Sequence, residues 1–220
     1  GSRTMVFADG MPLHYHLQTR WSGSPRWSLV SPSEIEAAEV IYGPYSAEYS
    51  GNAMGGVVNL YTRNPTERKI NIETGYFSQS YDILNTNESF TGNKLFASIE
   101  DRIGNTSYFL SFNRLDNEGQ PQTQHRSGAS RRSASLTGAS GAIFGKEERG
   151  RDIVYFGDSG PEESLTELVK LKVIHDLGDF QLRGNIAYEQ RERDESDPNN
   201  YLRDSSGNVF YDRNFSLASD

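Results

Sequence analysis

The sequence contains no cysteine, so disulfides and thiolate-ligated metal sites are excluded. It also has no excess of basic residues. The formal net charge is −8, whereas a nucleic-acid-binding surface needs Lys and Arg to neutralise phosphates. No stretch approaches the ~20 consecutive apolar residues that a transmembrane helix requires. These features argue against a nucleic-acid partner and against a helical membrane span.

A dense block of local signals lies in the first third of the chain. Residues Ile35 to Ile41 mix apolar residues with glutamates, which predicts a short strand with one solvent-exposed face. Gly43-Pro44 ends that strand, and Pro44 to Tyr49 has room for only one or two helical turns. Gly55-Gly56 allows close backbone approach before β-type residues resume at Val57 to Leu60. The residues alone are compatible with any small β-turn-α-β unit.

The fixed positions of this block resemble a known family. They run as Ile35-Glu36-x-x-Glu39-Val40-x-x-Gly43-Pro44-x-Ser46-Ala47-x-Tyr49, then Ala53-x-Gly55-Gly56-Val57-x-Asn59. Upstream stands a further element, Val6-Phe7-Ala8-Asp9-Gly10-Met11-Pro12-Leu13. Together they resemble the closing segment of the plug domain of TonB-dependent outer-membrane receptors.

Beyond Pro65 the sequence alternates apolar and polar residues in long segments. Tight turns at Gly104-Asn105 and Gly178-Asp179 contrast with long polar stretches at residues 118–144 and 191–199. That asymmetry matches the short periplasmic turns and long outer loops of membrane barrels. The alternation predicts strands at Lys69 to Phe77, Asn93 to Ile103, Ser107 to Leu115, Leu165 to Leu177 and Phe180 to Tyr188, with a short hairpin at Tyr201 to Tyr211.

The fold class expected from these signals is mainly β. Residues 1–64 are predicted to form the C-terminal part of a plug domain, of mixed α/β type with short helices. Residues 65–220 are predicted to form the first five or six strands and loops of a barrel, as antiparallel meander strands. Barrels with a plugged lumen have ~22 strands, so the predicted transmembrane barrel is incomplete. No signal peptide and no TonB box are visible, as expected for a piece of a longer chain.

The resemblance implies a function for the intact protein. It is that of a bacterial outer-membrane receptor for energised uptake of a scarce nutrient, such as an iron–siderophore or a similar chelate. The implied partners are the nutrient, outer-membrane lipid and TonB, and neither an enzymatic activity nor a cofactor is expected. The alternative is a free-standing soluble β-rich ligand-binding module with a plug-like sequence.

A stretch rich in aromatic and basic residues is the candidate ligand-binding region. Plug loops in the family face the extracellular vestibule. Trp and Tyr offer flat stacking surfaces, and Arg and His can engage anionic groups. The alternative is that the tryptophans pack the plug against the barrel wall. The candidates are His14, Tyr15, His16, Arg20, Trp21, Arg26 and Trp27.

Charged residues around the plug-like block are candidates for ion pairs between plug and barrel wall. They are Glu34, Glu36, Glu39 and Arg63. An equally good interpretation is that these side chains are solvated surface charges.

Two apparent catalytic or metal motifs are rejected. Gly157-Asp158-Ser159-Gly160-Pro161 is similar to the nucleophile sequence of chymotrypsin-like proteases. It lacks one glycine of that sequence, and no upstream site for the general base is evident, so a turn is expected instead. His14 and His16 share one strand face but lack a third metal ligand, so no metal site is assigned.

Overall fold

The computed structural model describes residues 4–14, 25–43, 49, 53–128 and 139–210, and every structural statement below concerns these residues. They fall into two compact units. The first comprises Gly1–Gly75, Lys94–Leu115 and Thr166–Arg191, and the second comprises Tyr76–Asn93, Asp116–Leu165 and Glu192–Asp220. The predicted division at residue 64 stays a prediction.

A four-stranded N-terminal sheet lies in the first unit, with strand order β2-β1-β4-β3. Its strands are β1 (Thr4–Ala8), β2 (Met11–Pro12), β3 (Ile35–Tyr42) and β4 (Gly56–Thr62). β1 pairs with β4 in parallel, and β3 pairs with β4 antiparallel. The strands predicted on either side of the Gly-Pro turn are therefore confirmed. The predicted helix at residues 44–49 lies outside the described residues except for Tyr49.

The N-terminal sheet carries the apolar core of the first unit. Val6, Ala8, Leu13, Val30 and Leu60 form one buried cluster. Two three-residue 3-10 helices, Trp27–Leu29 and Pro32–Glu34, lead into β3. At the start of β4, Gly56 has φ +124°, and a Cβ there would lie 2.5 Å from the Ile41 carbonyl oxygen, so only glycine fits.

Five long strands form a second sheet, the long-strand sheet, with order β12-β11-β7-β6-β5. Two-residue turns join β5 to β6 and β6 to β7, so these neighbours run antiparallel. The strands are β5 (Lys69–Ile83), β6 (Thr86–Ile103), β7 (Thr106–Gly119), β11 (Glu162–Asp176) and β12 (Gln181–Glu195), each with residues in both units. The five predicted strands are confirmed, and each is longer than predicted.

A small sheet belongs to the second unit. It is built on β10 (Asp152–Asp158), which pairs antiparallel with β8 (Gln124–Gly128), β9 (Ile143–Lys146) and β13 (Asn199–Asn200). The stretch predicted as a long polar loop therefore contains strands. The hairpin predicted at residue 201 is reduced to a bridge between Arg203 and Val209. No helix among the described residues has the length and apolar composition needed to cross a membrane.

Candidate ligand-binding cleft and buried ion pairs

The long-strand sheet buries its polar face and exposes its apolar face within the first unit. On β11, Lys170 and Lys172 are 5% and 1% exposed, while their neighbours Val169 and Leu171 are 45% and 37% exposed. Soluble domains show the opposite arrangement, because Lys is almost never buried unless it is paired. The exposed face of the five strands includes Ile70, Ile72, Ile99, Leu110, Val169, Leu171, Leu182 and Ile186.

The Lys172 ammonium lies at the centre of a network that joins β11 to the N-terminal sheet. Its Nζ lies 3.0 Å from Asp9 Oδ2 and 2.9 Å from Thr62 Oγ1. It also donates to the backbone carbonyls of Thr62 and Arg63, at 3.3 and 3.2 Å. A buried charge of this kind is tolerable only because acceptors surround it.

Asp9 is presented to Lys172 by the turn after β1. Asp9 and Gly10 both have positive φ, 48° and 82°, and Asp tolerates this conformation better than most residues. Burial by itself raises the pKa of Asp9. Hydrogen bonds from the Thr62 hydroxyl and backbone N–H, with the hydrogen bond and charge of Lys172, outweigh that effect and lower the pKa below its ordinary value.

Glu34 and Lys170 form a second buried ion pair between the two sheets. Glu34 Oε1 lies 3.1 Å from Lys170 Nζ and accepts from the Ser31 N–H at 2.8 Å. The contact with Ser31 closes a capping box on the 3-10 helix Pro32–Glu34. The pair is almost wholly removed from water, with side-chain exposures of 1% for Glu34 and 6% for Lys170.

The side chains of the other predicted ion-pairing residues make different contacts. Glu36 and Glu39 are exposed, and Glu39 accepts hydrogen bonds from Asn59 and Tyr61 within the N-terminal sheet. The Arg63 guanidinium donates to the Ser33 carbonyl. The structure thus brings Glu34 to the long-strand sheet, while a role for all four residues in ion pairing between plug and wall stays a prediction.

A cleft of ≈ 680 Å³ opens in the first unit between the segment before β3 and the strands β7, β11 and β12. Arg26 and Trp27, two of the predicted ligand-binding residues, line it, and the Trp27 ring is 56% exposed. The opposite side includes Asn113, Thr166, Glu189 and Arg191. The cleft therefore combines an aromatic surface with charges of both signs.

The remaining predicted ligand-binding residues are only partly described. His14 forms a β-bridge with Pro25, at the foot of the segment that leads to the cleft. Tyr15, His16, Arg20 and Trp21 lie outside the described residues.

Glu189 connects the cleft wall to the N-terminal segment. Its carboxylate lies 3.5 Å from the Arg26 guanidinium and accepts from the Ser28 hydroxyl at 2.5 Å. The Glu189 side chain is 8% exposed, whereas that of Arg26 is 45% exposed. One wall carboxylate therefore holds the residues on both sides of Trp27.

Sequence reasoning missed Asp9, Lys170, Lys172 and Glu189 as members of these contacts. A signal was available for the lysines, because two lysines at alternate positions of one strand face the same side of the sheet. No local signal connects them with Asp9 or Glu34, since the partners are more than 130 residues apart.

In the second unit, a buried carboxylate joins three strands. Asp158 is 1% exposed and accepts from Thr86, Tyr201, Asn199 and the Gly160 N–H at 2.5 to 2.8 Å. Burial by itself raises the pKa of Asp158, but these four hydrogen bonds outweigh it and lower the pKa below its ordinary value. Burial and the hydrogen bond to Asp158 raise the pKa of Tyr201 to about 12.

An Asp158→Asn variant is expected to destabilise the second unit by about 2–3 kcal/mol, because an amide cannot accept from all four donors. The stabilisation by Asp158 is present above the unfolded pKa of about 4 and is lost as pH falls through the lower folded pKa. Hydrogen exchange of the β10 amides should therefore differ between wild type and variant at pH 7, and the difference should shrink at pH 3.

Asp152→Asn is the control, since Asp152 is 69% exposed in its pair with Lys146. An equal effect of both variants would contradict the expectation.

The rejected protease-like pentapeptide spans the last two residues of β10 and the turn that follows it. The Ser159 hydroxyl accepts from the backbone N–H groups of Gln122 and Thr123, at 3.1 and 3.3 Å. The serine therefore ties two backbone segments together.

Comparison with known proteins locates the family resemblance in the N-terminal part of the chain. Residues 1–57 match the TonB-dependent receptor plug domain family. The ferric enterobactin receptor PirA of Pseudomonas aeruginosa is 37% identical over 73 residues, which are 30% of this chain and 10% of that protein. PirA of Acinetobacter baumannii is 32% identical over 87 residues, 36% of this chain and 11% of that protein. The matched part of the chain thus spans about a tenth of the length of these relatives.

Solved structures extend the fold comparison to most of the chain. A mutant of the ferric enterobactin receptor PfeA of Pseudomonas aeruginosa, in complex with enterobactin, superposes with a TM-score of 0.58 at 16% identity, covering 87% of this chain and 26% of that one. The siderophore receptor PirA from Acinetobacter baumannii gives 0.58 at 20% identity, covering 87% of this chain and 24% of that one. At this identity the comparison concerns the fold alone.

Proposed function

We propose that this chain, whose residues 1–57 match the plug domain family of TonB-dependent receptors, is part of an outer-membrane receptor that imports a scarce nutrient. The N-terminal sheet is part of the plug, and the long-strand sheet is part of the barrel wall. The nutrient is an iron–siderophore or a similar chelate, and TonB supplies the energy for its uptake. The intact protein acts as a transporter and not as an enzyme.

The observation that carries this proposal is the inverted polarity of the long-strand sheet. Its exposed face is apolar, whereas its buried face holds Lys170, Lys172, Ser98 and Glu100 beside the apolar side chains of Phe96, Phe109 and Leu168. Membrane barrels have this pattern, because the outer face meets lipid and the inner face meets a polar lumen. A soluble module would have to leave a broad apolar surface in water, which monomeric soluble proteins rarely do.

The buried ion pairs support the assignment of the N-terminal sheet to the plug. Lys170 and Lys172 reach Glu34 and Asp9 from the polar face of β11, so the N-terminal sheet lies on the side that would be the lumen. Non-helical structure at membrane depth is tolerated when protein surrounds it.

The cleft is the proposed ligand contact in this part of the receptor. Arg26 and Arg191 offer cationic groups, and Trp27 offers a stacking surface. Two relatives are named as ferric enterobactin or siderophore receptors, which supports a ferric chelate as the ligand. The predicted contacts of Tyr15, His16, Arg20 and Trp21 belong to the same proposal.

Ligand binding to the complete receptor tests this proposal. Arg26→Ala and Trp27→Ala are each expected to weaken the binding of ferric enterobactin about tenfold, because one charge-assisted contact or stacked ring contributes about 1.4 kcal/mol. Calorimetric titration gives the Kd. Arg114→Ala is the control, since Arg114 pairs with Glu167 at 3.4 Å outside the cleft. An unchanged Kd in both cleft variants would refute the ligand contact.

A further inference from the structure

We propose that Glu189 is a specificity-determining counter-charge in the cleft, one that an anionic ligand must displace from Arg26. This inference rests on the proposed function. It concerns a wall residue that neither the plug-like motif nor the sequence pattern singles out.

The geometry around Glu189 separates two contacts of different strength. The Ser28 hydroxyl donates a hydrogen bond to the Glu189 carboxylate, and a charged acceptor strengthens such a bond. The ion pair with Arg26 is long, at 3.5 Å, and the Arg26 side chain is 45% exposed. An ion pair with a long contact and a cation that reaches water holds its partners only weakly. Arg26 can therefore exchange Glu189 for a ligand anion at small cost, while the hydrogen bond from Ser28 to Glu189 remains.

The charge of Glu189 also acts on any anion that enters the cleft. Among the described residues that line the cleft, two are cations, Arg26 and Arg191, and Glu189 is the carboxylate. Because the Glu189 side chain is only 8% exposed, water screens its charge less than that of a surface carboxylate. An anionic ligand thus gains from two guanidinium groups and loses to one carboxylate. A transport site must bind its ligand and later release it. A carboxylate in the site lowers the affinity for an anionic ligand and so favours its release.

The test replaces the charge and keeps the shape. Glu189→Gln retains an oxygen that can accept from Ser28 and removes the negative charge. In the complete receptor, the Kd for ferric enterobactin, an anionic tris-catecholate chelate, is expected to fall about three- to tenfold, the scale of one like charge removed at several ångströms in a protein environment. The Kd for a neutral ferric trihydroxamate is expected to change less than about twofold, because no net charge meets the cleft.

Matched variants separate the effect of charge from that of position. Glu167→Gln removes one negative charge outside the cleft, from an exposed pair with Arg114, and should leave both Kd values unchanged. Ser28→Ala removes the hydrogen bond to Glu189 and keeps the charge, and should not tighten anion binding. If Glu189→Gln does not assemble, Glu189→Ala removes the same charge and is measured instead.

The outcomes distinguish this inference from the function on which it rests. If the wild-type receptor binds neither chelate, the proposed function fails. If it binds the anionic chelate and neutral variants at position 189 leave the Kd unchanged or raise it, the proposed function stands and the counter-charge role is overturned. A purely structural role for Glu189 can weaken binding but cannot tighten it for the anion alone.

Discussion

In the complete receptor, a Lys172→Met variant is expected to weaken the packing of the N-terminal sheet against the barrel wall. The expected loss of stability is about 3–5 kcal/mol. Methionine fills the space of the lysine stem but supplies no charge. The Asp9 carboxylate would stay buried without its cation, and the carbonyls of Thr62 and Arg63 would lose their donor. A buried group left without a partner costs more than the original contact contributed.

Hydrogen exchange of the β1 and β4 amides measures this loss. Lys146→Met serves as the control, because the Lys146–Asp152 pair has side chains 66% and 69% exposed and should contribute little. A Lys172→Met/Asp9→Asn double variant should recover part of the protection, since the Asp9 carboxylate is no longer buried without its cation and Asn tolerates the positive φ of position 9. If the β1 and β4 amides of Lys172→Met exchange as slowly as those of the wild type, the network does not hold the N-terminal sheet in place.

Ile99→Arg is the second change with a large expected effect. Ile99 is 45% exposed on the apolar face of β6. If that face meets lipid, an arginine there costs about 2–4 kcal/mol near the bilayer midplane, and the amount of assembled receptor in the outer membrane should fall several-fold. If the chain were a soluble module, an exposed Ile→Arg change would alter stability by no more than about 0.5 kcal/mol.

Quantifying folded receptor in isolated outer membranes gives the result. Ile99→Leu keeps the surface apolar and should assemble as wild type does. Glu163→Arg places the same cation at an exposed polar position in the second unit and should also assemble. Normal assembly of Ile99→Arg would favour the soluble alternative.

The sequence pattern predicts where the long strands lie but not where they end. Alternating apolar residues mark β5 as far as Phe77, whereas the strand continues to Ile83. Ser78, Gln79 and Ser80 carry no apolar signal, and pairing with β6 extends the strand through them. In the turn that ends β5, Leu84 has φ 57°. Glycine and asparagine adopt this conformation more readily than leucine does, so a leucine at this position does not predict the turn.

The candidate site is predictable only in part, for a physical reason. Aromatic and basic residues near Arg26 and Trp27 indicate a binding surface locally, because their chemistry suits an anionic ligand. The pairing of Glu34 with Lys170 depends on how a strand packs more than 130 residues later. Charge alone does not choose among the five lysines and seventeen glutamates of the chain, so only the fold selects the partners.

The parallel pairing of β1 with β4 has a mechanical consequence. Lys172 fixes the carboxyl end of β4 to the wall, and a force applied at the amino end of β1 would pull against that anchor. Five residue pairs from Thr4–Gly56 to Ala8–Leu60 join the two strands. Because the two strands are parallel, this force would act along the strands and load the hydrogen bonds of all five pairs together. The hydrogen bonds would then break at the same time and not one after another.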